Sequence, residues 1–343
     1  MFLRNCWYVA AWSHEVEAGK LLARRIVGEP LVIYRQEGGS PVAMEDRCCH
    51  RHAPLSLGRQ EGSAVRCMYH GWKYSAAGIC VEIPGQSRIP EQARVRTYPA
   101  VERHSWIWVW MGAADKADES LIPAATGLDN PDWNLLCGSI AYQANYRLVL
   151  DNLLDFSHLS YVHQATFGGN DKWASIRPAV SRKERGVSIQ WTLDDISPAP
   201  FAKAIGFAAE RNDLKSSYDF IIPGVLLMTG LVRPHGEPFL DGEKGVMDSL
   251  TCQAVTPETE QTSRYFFSFG PRREVRDPAI AEGMMAGARA AFEEDRVMIE
   301  AQQRIINLAP DRPKVPMTAD RALGQFRWLL DKLIEEENSR RSD

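Results

Sequence analysis

The hydrophobic pattern changes character about a third of the way along the chain. Before that point apolar residues come in short runs broken by glycine and proline. LLARRIV and LVIYR flank GEP, PVAMEDR follows EGGS, and WKYS and GICVEI flank a turn at 76–78. Runs of strand length at this spacing predict a small antiparallel β domain. Its last run, WIWVWM, is apolar at every position and predicts a strand buried on both faces. Beyond the polar stretch ADKADESLIP the texture is mixed, which predicts an α+β chain divided into domains 1–113 and 114–343. Residues 187–193 and 218–233 read as strands, and PAPFAKAIGFAAERNDLK between them as a helix or mobile flap. MDSLTCQAV and SRYFFSF, joined by TPETEQT, read as a hairpin.

Two helical stretches carry polar residues where apolar ones belong. Asp277 followed by Pro278 makes an N-cap and first-turn pair for a long helix toward Leu308. Its apolar stripe is Ala288, Ala291, Phe292, Met298, Ile299, Ile305 and Ile306, and Asp295 occupies the stripe position between Phe292 and Met298. A carboxylate there needs a positive partner, either a metal ion or a buried arginine. Glu293 and Glu294 fall off the stripe and read as solvated. The second stretch, DNLLDFSHLSYVH at 151–163, is dense in leucine and reads as a buried helix. At about 100° per residue, Asp151, Asp155, His158 and Val162 share one side of it. His158 and His163 would diverge by roughly 140° in a straight helix, so their convergence needs a π-bulge or a helix end near Tyr161. Satisfied core histidines are the alternative; with Asp295, the two histidines form a candidate 2-His-1-carboxylate iron site. The glycine-rich QATFGGND that follows reads as the border of a site entrance. FRWLLDKLIEEE reads as a docked amphipathic helix, with a disordered tail after Glu335.

Composition narrows the classes. The chain has 343 residues, 45% hydrophobic and 24% charged, as in a globular protein. A net charge of −4 gives no basic field for nucleic acid, and no apolar run reaches membrane-spanning length. The N-terminus lacks a clear export signal, so a cytoplasmic protein with reduced cysteines is expected. Lys203, Arg211, Lys215 and Arg233 are possible anion partners or simply surface charge.

Chemistry concentrates in two loops of the first domain. Cys48, Cys49 and His50 precede Cys67 and His70, with sixteen residues between His50 and Cys67. A tetrahedral zinc site is conceivable, but the C-x-H spacing fits zinc fingers poorly. It resembles the Rieske pattern, in which Cys48 and Cys67 would hold one iron of a [2Fe–2S] cluster and His50 and His70 the other. Cys49 is then a packed neighbour, and His52 a surface or supporting group. Rieske proteins of respiratory complexes add a cysteine in each loop; Arg51, Ala53 and Met68 leave no such pair here.

Taken together, RNCWYVAAW, CCHRHAPLSLG, CMYHGWKY, EIPGQ, VERHSWIWVW, NYRLVLDNLLDFSHLSYVH, TPET and FEEDRVMIEA resemble the α subunits of Rieske non-haem iron aromatic oxygenases. Among these the chain looks most similar to the vanillate and dicamba O-demethylase and toluenesulfonate methyl-monooxygenase components. Cys49 departs from the usual proline. The resemblance implies an all-β Rieske domain and a helix-grip catalytic domain, an antiparallel sheet around a long helix. It implies Fe(II) on His158, His163 and Asp295, with Asn152 near the iron and Asp155 bridging His158 to a cluster histidine of the neighbouring subunit in a homotrimer. It also implies electrons from NAD(P)H through a separate flavin and iron–sulfur reductase, and O2 as oxidant. The implied reaction is hydroxylation of a methyl or methoxy group of a small aromatic acid. The rival activities are ring dihydroxylation of the phthalate dioxygenase type, pure Rieske electron transfer, and zinc-dependent protein binding.

Overall fold

Short apolar runs separated by turn residues fold into small sheets, and the longer alternating runs that follow fold into one large sheet. The computed structural model describes residues 1–342 apart from 168–170, 205, 207, 208, 241–244 and 246. Met1–Ile122 with Thr256–Glu260 form one compact unit, and Pro123–Val255 with Gln261–Asp343 a second.

In the first unit β1 (Trp7–Trp12), β2 (Leu22–Ile26), β3 (Glu29–Arg35), β4 (Pro41–Glu45), β5 (Arg59–Glu61), β6 (Ala64–Arg66), β7 (Lys73–Tyr74), β8 (Cys80–Glu82), β9 (Thr97–Tyr98), β10 (Ala100–Arg103) and β11 (Trp106–Trp110) form three sheets. Their orders are β1-β11-β10, β2-β3-β4-β9 and β5-β6-β7-β8. The tryptophan-rich β11 is paired on both edges and buried along its whole length, as its unbroken apolar pattern requires.

The loops after β4 and β6 are built alike. The Cys48 carbonyl accepts from His52 N at 2.8 Å, and the Cys67 carbonyl from Gly71 N at 3.0 Å. His52 and Gly71 both have positive φ, 59° and 75°. One residue later the chain returns, with Cys48 N donating to Ala53 O and Cys67 N to Trp72 O. Each loop thus buries its cysteine and turns the following histidine outward. Cys48 and Cys67 belong to the apolar core with Tyr34, Met44, Leu55 and Tyr74.

The second unit is organised on a seven-stranded sheet. Its strands are β12 (Leu136–Tyr142), β13 (Ala179–Lys183), β14 (Gly186–Ile196), β15 (Asn212–Ile221), β16 (Val225–Pro234), β17 (Ser249–Pro257) and β18 (Ser263–Pro271), in the order β12-β18-β17-β16-β15-β14-β13. The sheet pairs β12–β18, β13–β14, β14–β15, β15–β16 and β16–β17 are antiparallel. The helices are α1 (Tyr146–Leu153), α2 (Asp171–Ala174), α3 (Pro200–Ala204), α4 (Pro278–Leu308) and α5 (Arg321–Ser342). The Asp277 side chain caps α4 by accepting from Ala279 N at 3.0 Å. α4 packs on β12 and β18, and α5 on β13 and β14, giving an α+β unit with the sheet wrapped on the long helix.

Three expectations need correction. Residues 151–163 are not one helix: α1 stops at Leu153 and a 3₁₀ turn follows at Ser157–Ser160. Met298 and Ile305 are exposed, because the buried face of α4 rotates onto Ile299 and Gln303. The chain beyond Glu335 continues as α5 to Ser342. Residues 168–170 of the glycine-rich loop, and 205, 207 and 208 of the helix-or-flap segment, lie outside the described residues.

A Cβ at Gly71 would lie 2.7 Å from Pro84 Cγ in addition to the strain of positive φ. At Gly85, with φ 74°, the same atom meets open space. Gly71→Ala should therefore destabilise the first unit by about 1–3 kcal/mol, and Gly85→Ala by less. Urea unfolding followed by tryptophan fluorescence checks the order.

Candidate metal centres and their cavity

Asn145 caps α1 by accepting from Arg147 N at 2.9 Å. The start of α1 is held to α4, because Gln303 Oε1 accepts from Asn145 N at 2.8 Å and Glu300 Oε1 from Gln143 N at 2.9 Å. This docking brings Asn152 to Asp295, with Asn152 Nδ2 donating to Asp295 Oδ1 at 2.9 Å. Because the helix breaks before it would carry the histidines apart, both reach the same carboxylate. His158 Nε2 and His163 Nε2 lie 3.5 and 3.2 Å from Asp295 Oδ1. One ligand atom from each of His158, His163 and Asp295 falls within 4.8 Å of the others, a group able to hold a metal ion. Asp295 is 4% exposed, and among the described residues its partners are these histidines and Asn152, not an arginine.

The outer nitrogens are treated differently. His163 Nδ1 lies 2.8 Å from Glu294 Oε2, which also accepts from Thr166 Oγ1 at 2.7 Å. His158 Nδ1 is 3.6 Å from Asp155 Oδ2 and is buried without a hydrogen bond among the described residues. Asp155 Oδ1 accepts from Ser157 N and Oγ, both at 2.8 Å. Burial pushes the Asp155 carboxyl up, but the nearby His158 imidazole and the hydrogen bonds from Ser157 outweigh it and hold the group below its ordinary range. For His163, burial opposes protonation, yet the Asp295 and Glu294 carboxylates raise its pKa overall. Such crowding of negative charge around two imidazoles is what a divalent cation would relieve.

Glu294 is thus no solvated bystander, as its place off the apolar stripe implied. A step of one residue from Asp295 turns it to the other edge of the same imidazole. Asp151 is the opposite case: its carboxylate pairs with Arg327 of α5, with Arg327 Nε at 2.6 Å, and does not join the metal group.

In the first unit the two loops bring four further candidates together. Burial raises the Cys67 thiol, and the adjacent Cys48 side chain adds to the shift. Tyr74 Oη lies 3.0 Å from Cys48 Sγ and 3.2 Å from Cys49 Sγ. The His50 and His70 rings are 4.5 Å apart, and His50 stacks on Trp72 at 4.8 Å. His50 Nδ1 is buried with no hydrogen-bond partner among the described residues. Two buried thiols beside two imidazoles, one with an orphaned nitrogen, fit an iron–sulfur cluster with mixed ligands.

The group formed by His158, His163 and Asp295 opens onto a cavity of about 280 Å³. Phe156, Trp191, Leu214, Met228 and Phe292 are among its walls. No lysine or arginine lines it among the described residues. Arg233 is not surface charge, since it is buried with Nη1 2.7 Å from Asp248 Oδ1. Arg211 is exposed and pairs with Asp195. Among the described residues no helix is long and apolar enough to cross a membrane.

Comparison with known proteins bears on both centres. Residues 6–99 match the Rieske [2Fe-2S] domain, and residues 142–336 the vanillate O-demethylase oxygenase C-terminal domain. The toluene-4-sulfonate monooxygenase system iron–sulfur subunit of Comamonas testosteroni is 43% identical over 98% of this chain and 99% of its own. A crystal structure of dicamba monooxygenase bound to 3,6-dichlorosalicylic acid has a TM-score of 0.89 at 30% identity, covering 98% of this chain and 99% of that one. Another, with non-haem iron and dicamba, has a TM-score of 0.81 at 28% identity, covering 99% of each.

Asp295→Ala should remove the anionic member of the second centre and leave the first intact. Iron analysis should fall from about three atoms per chain to about two, with the cluster's visible absorption unchanged. Full iron content in that variant would show that the carboxylate serves another purpose.

Proposed function

The chain belongs to the vanillate O-demethylase oxygenase family of Rieske non-haem iron oxygenases, and we propose that it hydroxylates a methyl or methoxy group of a small aromatic acid. It is an oxygenase component whose cofactors are a [2Fe–2S] cluster and a mononuclear iron. The observation that carries the substrate reading is the position of His158, His163 and Asp295 against an apolar, aromatic-walled cavity. An apolar cavity of about 150 Å³ accepts benzene, so about 280 Å³ suits one substituted ring. The names of the relatives support the same class, since they act on toluene-4-sulfonate and bind dicamba.

In this reading Cys48, Cys67, His50 and His70 hold the cluster within domain 1–113, and His158, His163 and Asp295 hold Fe(II) within domain 114–343. Iron(II) with three protein ligands keeps open positions and supplies O2 activation. The residues around it do the positioning. Asn152 anchors the Asp295 carboxylate through its 2.9 Å hydrogen bond and is no ligand itself. Phe156, Trp191 and Phe292 hold the ring and keep water from the reacting carbon. The acid group meets no cationic side chain among the described lining residues, so its partners are neutral polar groups such as Ser216 and Thr251. A methoxyarene, O2, NAD(P)H and a proton give the phenol, formaldehyde, water and NAD(P)+. The electrons come through a separate flavin and iron–sulfur reductase. Asp155 lies against the outer nitrogen of His158 and joins it to His70 of a neighbouring copy in a homotrimer, carrying electrons between subunits.

Purified oxygenase with a surrogate reductase, screened against methyl- and methoxy-substituted aromatic acids, should release formaldehyde or a benzylic alcohol. A cis-diol product would instead favour ring dihydroxylation, and absence of substrate-dependent O2 uptake would leave electron transfer alone. Asp155→Asn keeps shape and loses charge, so both metal centres should remain. In a single turnover, cluster reoxidation should slow by about 10–100-fold. Reoxidation at the wild-type rate in a fully metallated variant would remove Asp155 from the electron path.

A further inference from the structure

We propose that Glu294 is the positioning residue that fixes the His163 imidazole for iron, an inference that rests on the reading of His158, His163 and Asp295 as the iron ligands. Consecutive residues of α4 grip one ring from two edges. Asp295 Oδ1 lies 3.2 Å from His163 Nε2, and Glu294 Oε2 lies 2.8 Å from His163 Nδ1. A carboxylate only accepts, so Nδ1 carries the proton and Nε2 presents its lone pair toward Asp295. The tautomer that iron needs is thereby selected within the chain. Thr166 Oγ1, 9% exposed as a residue, donates to the same Glu294 oxygen at 2.7 Å and holds the carboxylate in place. His163 is 1% exposed, so these contacts are shielded from bulk solvent.

The two histidines divide their roles on this basis. His158 Nδ1 stands 3.6 Å from Asp155 Oδ2, beyond a hydrogen bond, while Asp155 is engaged by Ser157. His163 is the rigid ligand, and His158 keeps an outer edge able to take a new partner. A purely structural account gives Glu294 a different task, that of tying the turn at 163–167 to α4 through Thr166. In that account the Thr166 contact matters and the His163 contact does not.

The test uses holoenzyme stripped of mononuclear metal with its oxidised, diamagnetic cluster retained, and Co(II) as the probe. Calorimetry reads affinity, and low-temperature paramagnetic resonance reads the ligand field. Glu294→Ala should weaken Co(II) binding by about 10–100-fold and alter the Co(II) signal, Glu294→Gln should recover part of that affinity, and Thr166→Val should stay within about threefold of wild type. Wild-type affinity and signal in Glu294→Ala overturn the proposal, as does a loss in Thr166→Val equal to that in Glu294→Ala. If Glu294→Ala fails to fold, Glu294→Gln decides: it should bind measurably more weakly with a shifted signal, and unchanged binding overturns the proposal. Failure of the wild-type protein to bind Co(II), or undiminished binding in Asp295→Ala, overturns instead the iron reading on which the proposal stands.

Discussion

A carboxylate held in the apolar interface of α4 governs the second unit. Asp295 is nearly inaccessible to solvent, and ionised groups are kept in such places only with opposite charge or strong hydrogen bonds. Among the described residues its partners come from the segment 152–163, so that segment must approach α4 closely. The docking of α1 through Gln303 and Glu300 brings Asn152 there. The end of α1 at Leu153 then lets the chain coil tightly enough for two histidines five residues apart to face one oxygen. A continued helix would have turned the two rings roughly 140° apart. The break is therefore the condition for the centre and not an irregularity beside it.

The first unit solves a different problem. Thiols buried among Tyr34, Met44, Leu55 and Tyr74 are poor places for thiolate charge unless a metal provides compensation. Two loops of matching geometry bury one cysteine each and project one histidine each, so sulfur lies inward and imidazole outward. This polarity suits a metal group held by buried sulfur on one side and more exposed imidazole on the other.

Between the metal group and the sheet, the cavity walls come from strands whose inward residues alternate with outward ones. Trp191 and Leu214 sit on β14 and β15, and Met228 on β16, while Ala288 and Phe292 face them from α4. Aromatic and sulfur-containing side chains supply a large contact area with little fixed polarity. The pocket thus offers a largely apolar, aromatic wall, with the metal group and Asn152 at one side of it.

Local pattern alone determined much of this protein. Tryptophans without alternation required β11 to be buried on both faces, the Asp277–Pro278 pair set the start of α4, and a carboxylate out of place on its stripe marked Asp295 as a partner for His158 and His163. The spacing of Cys48, His50, Cys67 and His70 carried the cluster motif, because ligands from two tight loops must recur at short fixed intervals. Tertiary structure decided what depends on distance between remote segments. Asp151 shares a helix face with Asp155 by periodicity, but Arg327, 176 residues away, claims it. Glu294 looks solvated along α4, and only the packing of the turn at 163–167 against that helix turns it toward His163. Met298 and Ile305 satisfy an apolar stripe by count yet lie on solvent, because periodicity names a face and packing decides how much of it is covered. Arg233 reads as any other strand cation until Asp248, the residue before β17, pairs with it in the interior. Charge in a sequence has no partner until the fold supplies one.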